Sequence, residues 1–292
     1  MKKDYLPWIY LFLLALIWGS SFILMKRGLE VFNYTEVAAM RLGLACLSLL
    51  PFGIKYFKRV KRKEVWAMAA VGIVGNGIPA FLFTKSQTAI DSSLAGILNA
   101  LTPLFTVFIG AAFFQLKFKP IQILGVGLGL AGAIWLVNPG EIQGNTTWYY
   151  PLYVVAATLC YAISVNIIKT HLGHLSSVQV TLTGLCFAAP APIFYLLFGS
   201  NLIYHLEETP GSWEAFFYIF ILAAIGTALS VVLFNELIKK TTAIFASSVT
   251  YLIPVIATLW GILDGEEIKL YYLLAMGLIL TGVYLVNRKK KA

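Results

Sequence analysis

The chain has 292 residues, 59% of them hydrophobic and only 12% charged, with a mean hydropathy of +0.82 and a formal net charge of +9. A water-soluble core cannot absorb that much apolar surface, so the composition excludes an ordinary soluble domain and makes the bilayer the solvent. The positive charge does not imply nucleic acid as a partner, because the lysines and arginines cluster at the ends of apolar stretches, where they meet anionic headgroups.

A helix needs about 20 mostly apolar residues to cross a hydrocarbon core of roughly 30 Å. Ten stretches are predicted to do so: residues 6–25, 35–54, 65–84, 92–114, 120–137, 150–168, 176–198, 213–235, 242–263 and 270–286. The first carries Trp18-Gly19-Ser20-Ser21 and lacks the small-x-small site of a cleaved signal peptide, so it is expected to remain in the mature protein. The second carries Arg41, close enough to the outer end to snorkel or to pair with Glu36. In the third, Asn76 stands between Gly75 and Gly77 and is followed by Pro79, while Gly72 with Ala69 suits close helix packing. The fourth opens on Asp91-Ser92-Ser93, whose side-chain oxygens suit a helix N-cap, and holds Asn99 one turn before Pro103. The fifth carries another small-residue pair, Gly125 and Gly129. Tyr161 and Asn166 lie in the sixth, Pro190 and Pro192 in the seventh, and Thr227 and Ser230 in the eighth. The eighth ends with Glu236 and Lys240, four residues apart, for which a local ion pair is the simplest reading. Thr250, Tyr251 and Pro254 lie in the ninth.

Short cytoplasmic loops retain lysine and arginine. With the N-terminus inside, one face collects Lys2, Lys3, Lys55, Lys58, Arg59, Lys61, Arg62, Lys63, Lys117, Lys119, Lys169, Lys239, Lys240 and Arg288 to Lys291. The other keeps Lys26, Arg27, Lys85 and Lys269 and is acidic, with Glu30, Glu36, Asp91, Glu141, Glu207, Glu208, Glu214, Asp264, Glu266 and Glu267. Both termini are therefore expected in the cytoplasm. Cys46, Cys160 and Cys186 sit inside apolar stretches as inert thiols, and His171, His174 and His205 fall in loops, so neither a metal site nor any cofactor is expected. There is no GxxxxGK[ST] loop for an ATP-driven pump and no nucleophile with a matched base for an intramembrane enzyme.

The halves of the chain resemble each other in order. Trp18-Gly19-Ser20-Ser21-Phe22 leading to Lys26 matches Tyr161-Ala162-Ile163-Ser164-Val165 leading to Lys169. Gly75-Asn76 falls on Gly226-Thr227, Ala95 to Pro103 on Ala246 to Pro254, Gly110 on Gly261, and Gly127 and Gly132 on Gly277 and Gly282. Five spans per repeat is an odd number, so the second copy enters the membrane from the opposite side. The fold expected is an all-α integral membrane protein of ten transmembrane helices, arranged as two inverted five-helix repeats, 1–145 and 146–292, around a central cavity.

These residues also resemble the drug/metabolite transporter superfamily, in particular its ten-helix bacterial members built from two EamA-type domains. The similarity rests on Trp18-Gly19-Ser20-Ser21-Phe22 with Lys26, on Arg41-Leu42, on Ala95 through Thr102-Pro103-Leu104, on Tyr251-Leu252-Ile253-Pro254-Val255 and on Gly265-Glu266. One departure is Phe114-Gln115, where the first repeat of such proteins often has glycine and glutamate. The resemblance implies a carrier of small metabolites in the bacterial inner membrane, often an exporter of amino acids or related compounds.

An unpaired amide in hydrocarbon costs several kcal/mol, so polar groups deep in spans face other helices or a wet path. Trp18, Ser21, Asn76, Asn99, Tyr161, Asn166, Thr227, Ser230, Thr250 and Tyr251 are the candidates to line such a path, and Pro79, Pro103, Pro254 and Arg41 to bend or gate it. With no carboxylate at mid-span, uncoupled exchange is favoured over proton coupling, and coupling through Glu36 or Asp91 near the outer end stays open. Aromatics, amides and hydroxyls without a fixed central charge suit a neutral or zwitterionic solute; amino acids fit, as do sugars, nucleosides and small drugs. A sensor or scaffold would usually add a soluble domain, for which the short connections leave no room. The partners expected are a small solute and the lipid bilayer, and the sequence is compatible with a monomer or a homo-oligomer. Asn145-Thr146-Thr147 is a glycosylation sequon that has no role in a bacterial setting.

Overall fold

The computed structural model describes residues 5–57, 61–114, 120–137, 148–241 and 249–287, and among these all regular structure is helical. The clusters at 2–3, 58–59, 117–119 and 288–291, together with Gln115, Glu141, the sequon at 145–147, the boundary between the two expected repeats and residues 242–248, lie outside the described residues. Backbone N–H and C=O groups find no water in hydrocarbon, and the helix satisfies them within each segment.

In chain order the helices are α1 (Leu6–Leu29), α2 (Tyr34–Phe57), α3 (Val65–Gly72) with α4 (Ile78–Ser86), α5 (Ser92–Asn99) with α6 (Thr102–Phe114), and α7 (Pro120–Val137). They continue as α8 (Tyr150–Ile167), α9 (Ser177–Ala188), α10 (Pro190–Phe198), α11 (Leu202–Glu208), α12 (Ser212–Ala223), α13 (Ser230–Lys240), α14 (Val249–Leu263) and α15 (Leu270–Asn287). Three segments wind as π-turns: Ile73–Gly77 joins α3 to α4, Ile168–Leu172 ends α8, and Ala224–Leu229 joins α12 to α13.

Six stretches are long and apolar enough to cross a membrane: Leu6–Leu29, Tyr34–Phe52, Arg62–Ser86, Ser92–Phe113, Tyr150–Leu172 and Ser212–Leu237. The pair α9 and α10, bent by 42°, makes a seventh, and Pro120–Leu136, Val249–Leu263 and Leu270–Val286 are shorter apolar helices. Large apolar side chains cover the outside of the bundle, among them Phe12, Phe52, Phe113, Ile134, Phe194, Phe198 and Leu263. In water this would be a large aggregation surface, whereas against lipid tails it costs nothing.

The breaks follow from proline. Pro103 has no N–H for the Asn99 carbonyl, the Thr102 hydroxyl donates to that carbonyl instead at 2.8 Å, and Ala100 and Leu101 tighten onto Ile97 and Leu98 between α5 and α6. Pro190 similarly marks the bend after α9, while Pro254 lies within an uninterrupted α14. Glycine sets the closest approaches. A Cβ on Gly282 of α15 would stand 2.7 Å from the Gly129 nitrogen of α7, and one on Gly125 would stand 2.6 Å from the Gly282 carbonyl.

Three expected contacts are replaced by others. Glu36, fully buried, accepts from the Asn33 N–H at 3.1 Å and the Asn201 N–H at 3.0 Å, so it ties the start of α2 to the loop after α10 and does not pair with Arg41. Asp91 precedes α5 in extended backbone but its carboxylate caps nothing. Glu266, from the loop between α14 and α15, accepts from the N–H groups of Ser92 at 2.9 Å and Ser93 at 3.1 Å. Gly265 turns that loop with φ +82, a left-handed conformation that favours glycine, and Gly261 leaves the space the Glu266 carboxylate fills. Glu236 accepts from the Ser177 hydroxyl at 2.9 Å and forms no ion pair with Lys240.

Candidate functional site

Between the helices lies a cavity of about 170 Å³. It reaches from Met25 near the end of α1 to Ile168 at the end of α8, and its wall is drawn from α1, α2, the two long π-turns with their helices, the α5–α6 break, α8, α9 and α14.

The wall is built from matched pairs. Trp18 meets Phe234 edge-on with ring centroids 5.0 Å apart, and Tyr161 stacks on Phe83 at 5.9 Å. Phe22 extends the second pair, edge-on to Phe83 at 5.8 Å. Ser21 lies against Gly226, where a Cβ would stand 2.9 Å from its hydroxyl, and Ser164 lies against Gly75, where a Cβ would meet its side chain at 2.6 Å. The π-turns explain why a polar residue follows each glycine. A π-turn leaves a carbonyl poorly satisfied by the regular ladder. The Asn76 amide donates to the Val71 carbonyl at 3.2 Å and the Thr227 hydroxyl to the Leu222 carbonyl at 3.2 Å, each reaching five residues back.

Arg41 departs from this neutral wall. It projects into the cavity from α2, half-buried, and its Nε donates to the Thr227 hydroxyl at 2.9 Å with the Tyr161 phenol beside the guanidinium. A cavity without a fixed charge was the expectation from sequence; Arg41 gives it one, and among the described residues no acidic side chain lines it. Arg41 turns to Thr227 and does not pair with Glu36.

Of the sequence candidates, Trp18, Ser21, Asn76, Asn99, Tyr161, Thr227, Thr250 and Arg41 line the cavity. Ser230, Asn166, Tyr251 and the three prolines Pro79, Pro103 and Pro254 are not among the lining residues. Ser230 stands behind the wall, accepting from the Trp18 indole N–H at 2.9 Å and donating to the Gly226 carbonyl at 2.6 Å. Asn166 joins α8 to α6, donating to the carbonyls of Thr106 at 3.0 Å and Ala162 at 2.9 Å. Pro79 begins α4 just past the π-turn.

Phe83, Phe234, Ser164, Thr102, Thr181 and Asn235 also line the cavity and were missed from sequence. The repeat held the signal for three of them. Ser164 is the partner of Ser21, and Phe83 and Phe234 lie the same step, about eight residues, beyond the matched glycines Gly75 and Gly226. Thr181 accepts from the Asn235 amide at 3.2 Å, a pair that no local pattern announces.

A cluster of charges stands beside one end of the cavity. Lys26, next to Met25, binds Asp264 at 2.7 Å and Glu266 at 2.9 Å, and Arg27 binds Glu30 at 2.7 Å and also Asp264. Burial pushes the Glu266 carboxyl up, but hydrogen bonds from Ser93 and Lys26 and from the Ser92 and Ser93 N–H groups outweigh it and hold the group below the usual carboxylate range. Burial, with the Glu266 charge nearby, pushes Asp91 above that range. Among the described residues no group of three or more His, Cys, Asp or Glu could hold a metal ion.

A helical bundle with an apolar outer surface and an internal cavity that mixes apolar, aromatic and polar side chains has the architecture of a membrane transporter. The EamA-like transporter family model matches residues 6–138 and 148–288, and the chain belongs to that family, within the drug/metabolite transporter superfamily. It is similar to an uncharacterized inner membrane transporter, YedA, of Escherichia coli K12, 26% identical over 286 residues, covering 96% of this chain and 90% of the relative. A probable terminal-alkyne amino-acid exporter of Streptantibioticus cattleyicolor is 23% identical, covering 99% and 95% of the two chains. A probable amino-acid metabolite efflux pump of Salmonella typhimurium is 21% identical, covering 94% and 92%. A solved crystal structure shares the fold with a TM-score of 0.62 at 16% identity, over 96% of each chain.

Proposed function

We propose that this chain is a secondary transporter of the inner membrane that exports small metabolites, amino acids or related amphipathic solutes, by alternating access. In this reading the chain has ten spans as two inverted repeats, 1–145 and 146–292, with both termini in the cytoplasm.

The observation that carries it is the paired cavity wall: Trp18–Phe234 with Ser21–Gly226 on one side, Tyr161–Phe83 with Ser164–Gly75 on the other. Each pair joins one half of the chain to the other, and the sequence repeat exchanges them. A static bundle has no need of that relation, whereas a carrier that presents one site alternately to two faces uses it directly. The helix neighbours obey the same exchange: α1 packs on α14 as α8 does on α6, and α7 packs on its own counterpart α15. Six candidate spans, one bent pair and three shorter apolar helices support a count of ten in this reading. The match of the family model to residues 6–138 and 148–288, and the names of the amino-acid exporters among the relatives, support the same reading.

Counterflow tests it. Proteoliposomes loaded with pooled unlabelled amino acids are expected to accumulate labelled ones without an imposed ion gradient. No accumulation by folded protein would remove amino acids as exchangeable solutes, and a requirement for a proton gradient would overturn uncoupled exchange.

A further inference from the structure

We propose that Arg41 anchors a carboxylate on the transported solute, so that the cavity selects carboxylic acids with an apolar or aromatic body, zwitterionic amino acids included, over amines, amides and uncharged sugars. This rests on the carrier reading above and narrows its substrate.

Arg41 is held by two neutral groups, the Thr227 hydroxyl and the Tyr161 phenol. Thr227 uses its single hydroxyl proton on the Leu222 carbonyl, so its oxygen receives the Arg41 Nε–H, and the π-turn that fixes Thr227 fixes the guanidinium with it. A guanidinium has five N–H donors in a rigid fork that matches two carboxylate oxygens. Among the described residues no Asp or Glu lies within ion-pair distance of Arg41, and its terminal nitrogens are directed at no protein carboxylate. A charge taken from water costs several kcal/mol unless it is paired. Glu36, five residues away, is the obvious counter-ion, yet it is committed to Asn33 and Asn201. The wall of the cavity therefore carries a positive charge with no acidic partner among the described residues.

The rest of the wall fits the remainder of such a solute. Tyr161 on Phe83 lies beside the guanidinium and offers ring faces to an apolar body. The Asn76 amide gives one N–H to the Val71 carbonyl and keeps its oxygen as an acceptor, and the Asn99 side chain lines the cavity with no hydrogen bond among the described residues. These acceptors take an ammonium or a hydroxyl equally well, so they admit an amino acid without requiring one. An amine without a carboxylate keeps those acceptors but brings no negative charge to offset the repulsion of Arg41.

The test uses four probes with one body: 3-phenylpropanoate, 3-phenylpropanamide, phenethylamine and L-phenylalanine, each titrated against the full chain in detergent while its melting temperature is followed. A ligand that binds the folded state raises that temperature. The two carboxylates are expected to raise it and the amide and amine are not. Arg41→Gln should weaken carboxylate binding on the order of tenfold to a hundredfold, the loss of a charge-assisted pair. Arg41→Lys should keep the preference at lower affinity. Should Arg41→Gln fail to fold, the wild-type probe series and Arg41→Lys still decide. Equal response to the amide or the amine, no response to either carboxylate, or an Arg41→Gln protein that responds like wild type would each overturn the proposal. Amino-acid counterflow by the wild type alongside such a result removes the anchor alone, and its absence removes the carrier reading.

Discussion

Gly72 has no room for a methyl group, because a Cβ there would run into the Gly184 carbonyl, so α3 and α9 touch backbone to backbone. Replacing it with alanine pushes the helices apart and is expected to cost about 1–3 kcal/mol, read as a lower melting temperature or earlier unfolding in denaturing detergent. Gly77, in the adjoining π-turn, is the control: its Cβ would meet Ala188 at 3.6 Å, an ordinary contact, so Gly77→Ala should leave stability near that of wild type. A larger loss at Gly77 than at Gly72 would mean that glycine serves the π-turn and not the packing. At this scale the sequence marks small residues well and directions poorly. Gly75-Asn76 and Gly226-Thr227 are visible as a repeat, yet nothing in Arg41-Leu42 says that the guanidinium turns inward to Thr227. Rotation about a helix axis is set by neighbours distant in sequence, and Thr227 lies in the other half of the chain. Phe83 and Phe234 are hidden by the 20 phenylalanines of the chain, and only their common step from the matched glycines separates them from lipid-facing rings.

The start of α5 is governed by an element far from it in sequence. Its N-terminal N–H groups are satisfied by Glu266, which Lys26 holds in place, while the local residue Asp91 stands half-buried with its carboxylate unused. Sequence alone assigns the cap to Asp91 because the pattern is local, and the true partner crosses from the α14–α15 loop. Opposite pH responses follow. A carboxyl held below its ordinary range adds stability above the unfolded pKa and loses it as pH falls through the lower folded value, so the Glu266 contribution disappears only in acid. A carboxyl pushed above its range works the other way, since the folded state binds its proton more tightly. Asp91 therefore costs stability once pH has risen past its folded pKa. Asp91→Asn should raise the melting temperature at neutral pH, with the gain vanishing in acid. Glu266→Gln should lower stability at neutral pH by about 1–2 kcal/mol, one charged cap and one buried pair, read as a lower melting temperature, and should differ little from wild type below the folded carboxyl range. Destabilisation by Asp91→Asn would show that Asp91, and not Glu266, holds the helix start. The break at Pro103 was legible because the missing donor is a property of the residue itself.

For the molecule as a whole, the two ends of the cavity are not equivalent. Met25 lines one end next to Lys26, and Ile168 lines the other next to Lys169, the repeat partner of Lys26. Lys26 is engaged by Asp264 and Glu266, acids whose side chains keep only 7% and 2% exposure, and Arg27 joins the same cluster. Lys169 is exposed and makes no ion pair among the described residues, and its end of the sequence carries Phe114-Gln115 where the other has Gly265-Glu266. A surface ion pair alone is worth little, but two nearly buried acids sharing two cations form a network that opens only if charges are left unpaired. On the proposed orientation this network is expected to shut the outer end and to leave the cavity facing the cytoplasm. Single cysteines report it in a background with Cys46, Cys160 and Cys186 replaced. A membrane-impermeant charged thiol reagent is expected to label Ile168→Cys from the cytoplasmic face and to leave Met25→Cys unlabelled from the outer face. Adding Lys26→Gln removes the cation from Glu266 and leaves Asp264 to Arg27 alone, and should raise outer labelling of Met25→Cys roughly tenfold, the change that about 1.4 kcal/mol produces in an opening equilibrium. Met25→Cys labelled from outside as fast as Ile168→Cys from inside, with Lys26 intact, would show that the cluster joins α1 to the α14–α15 loop without closing the path.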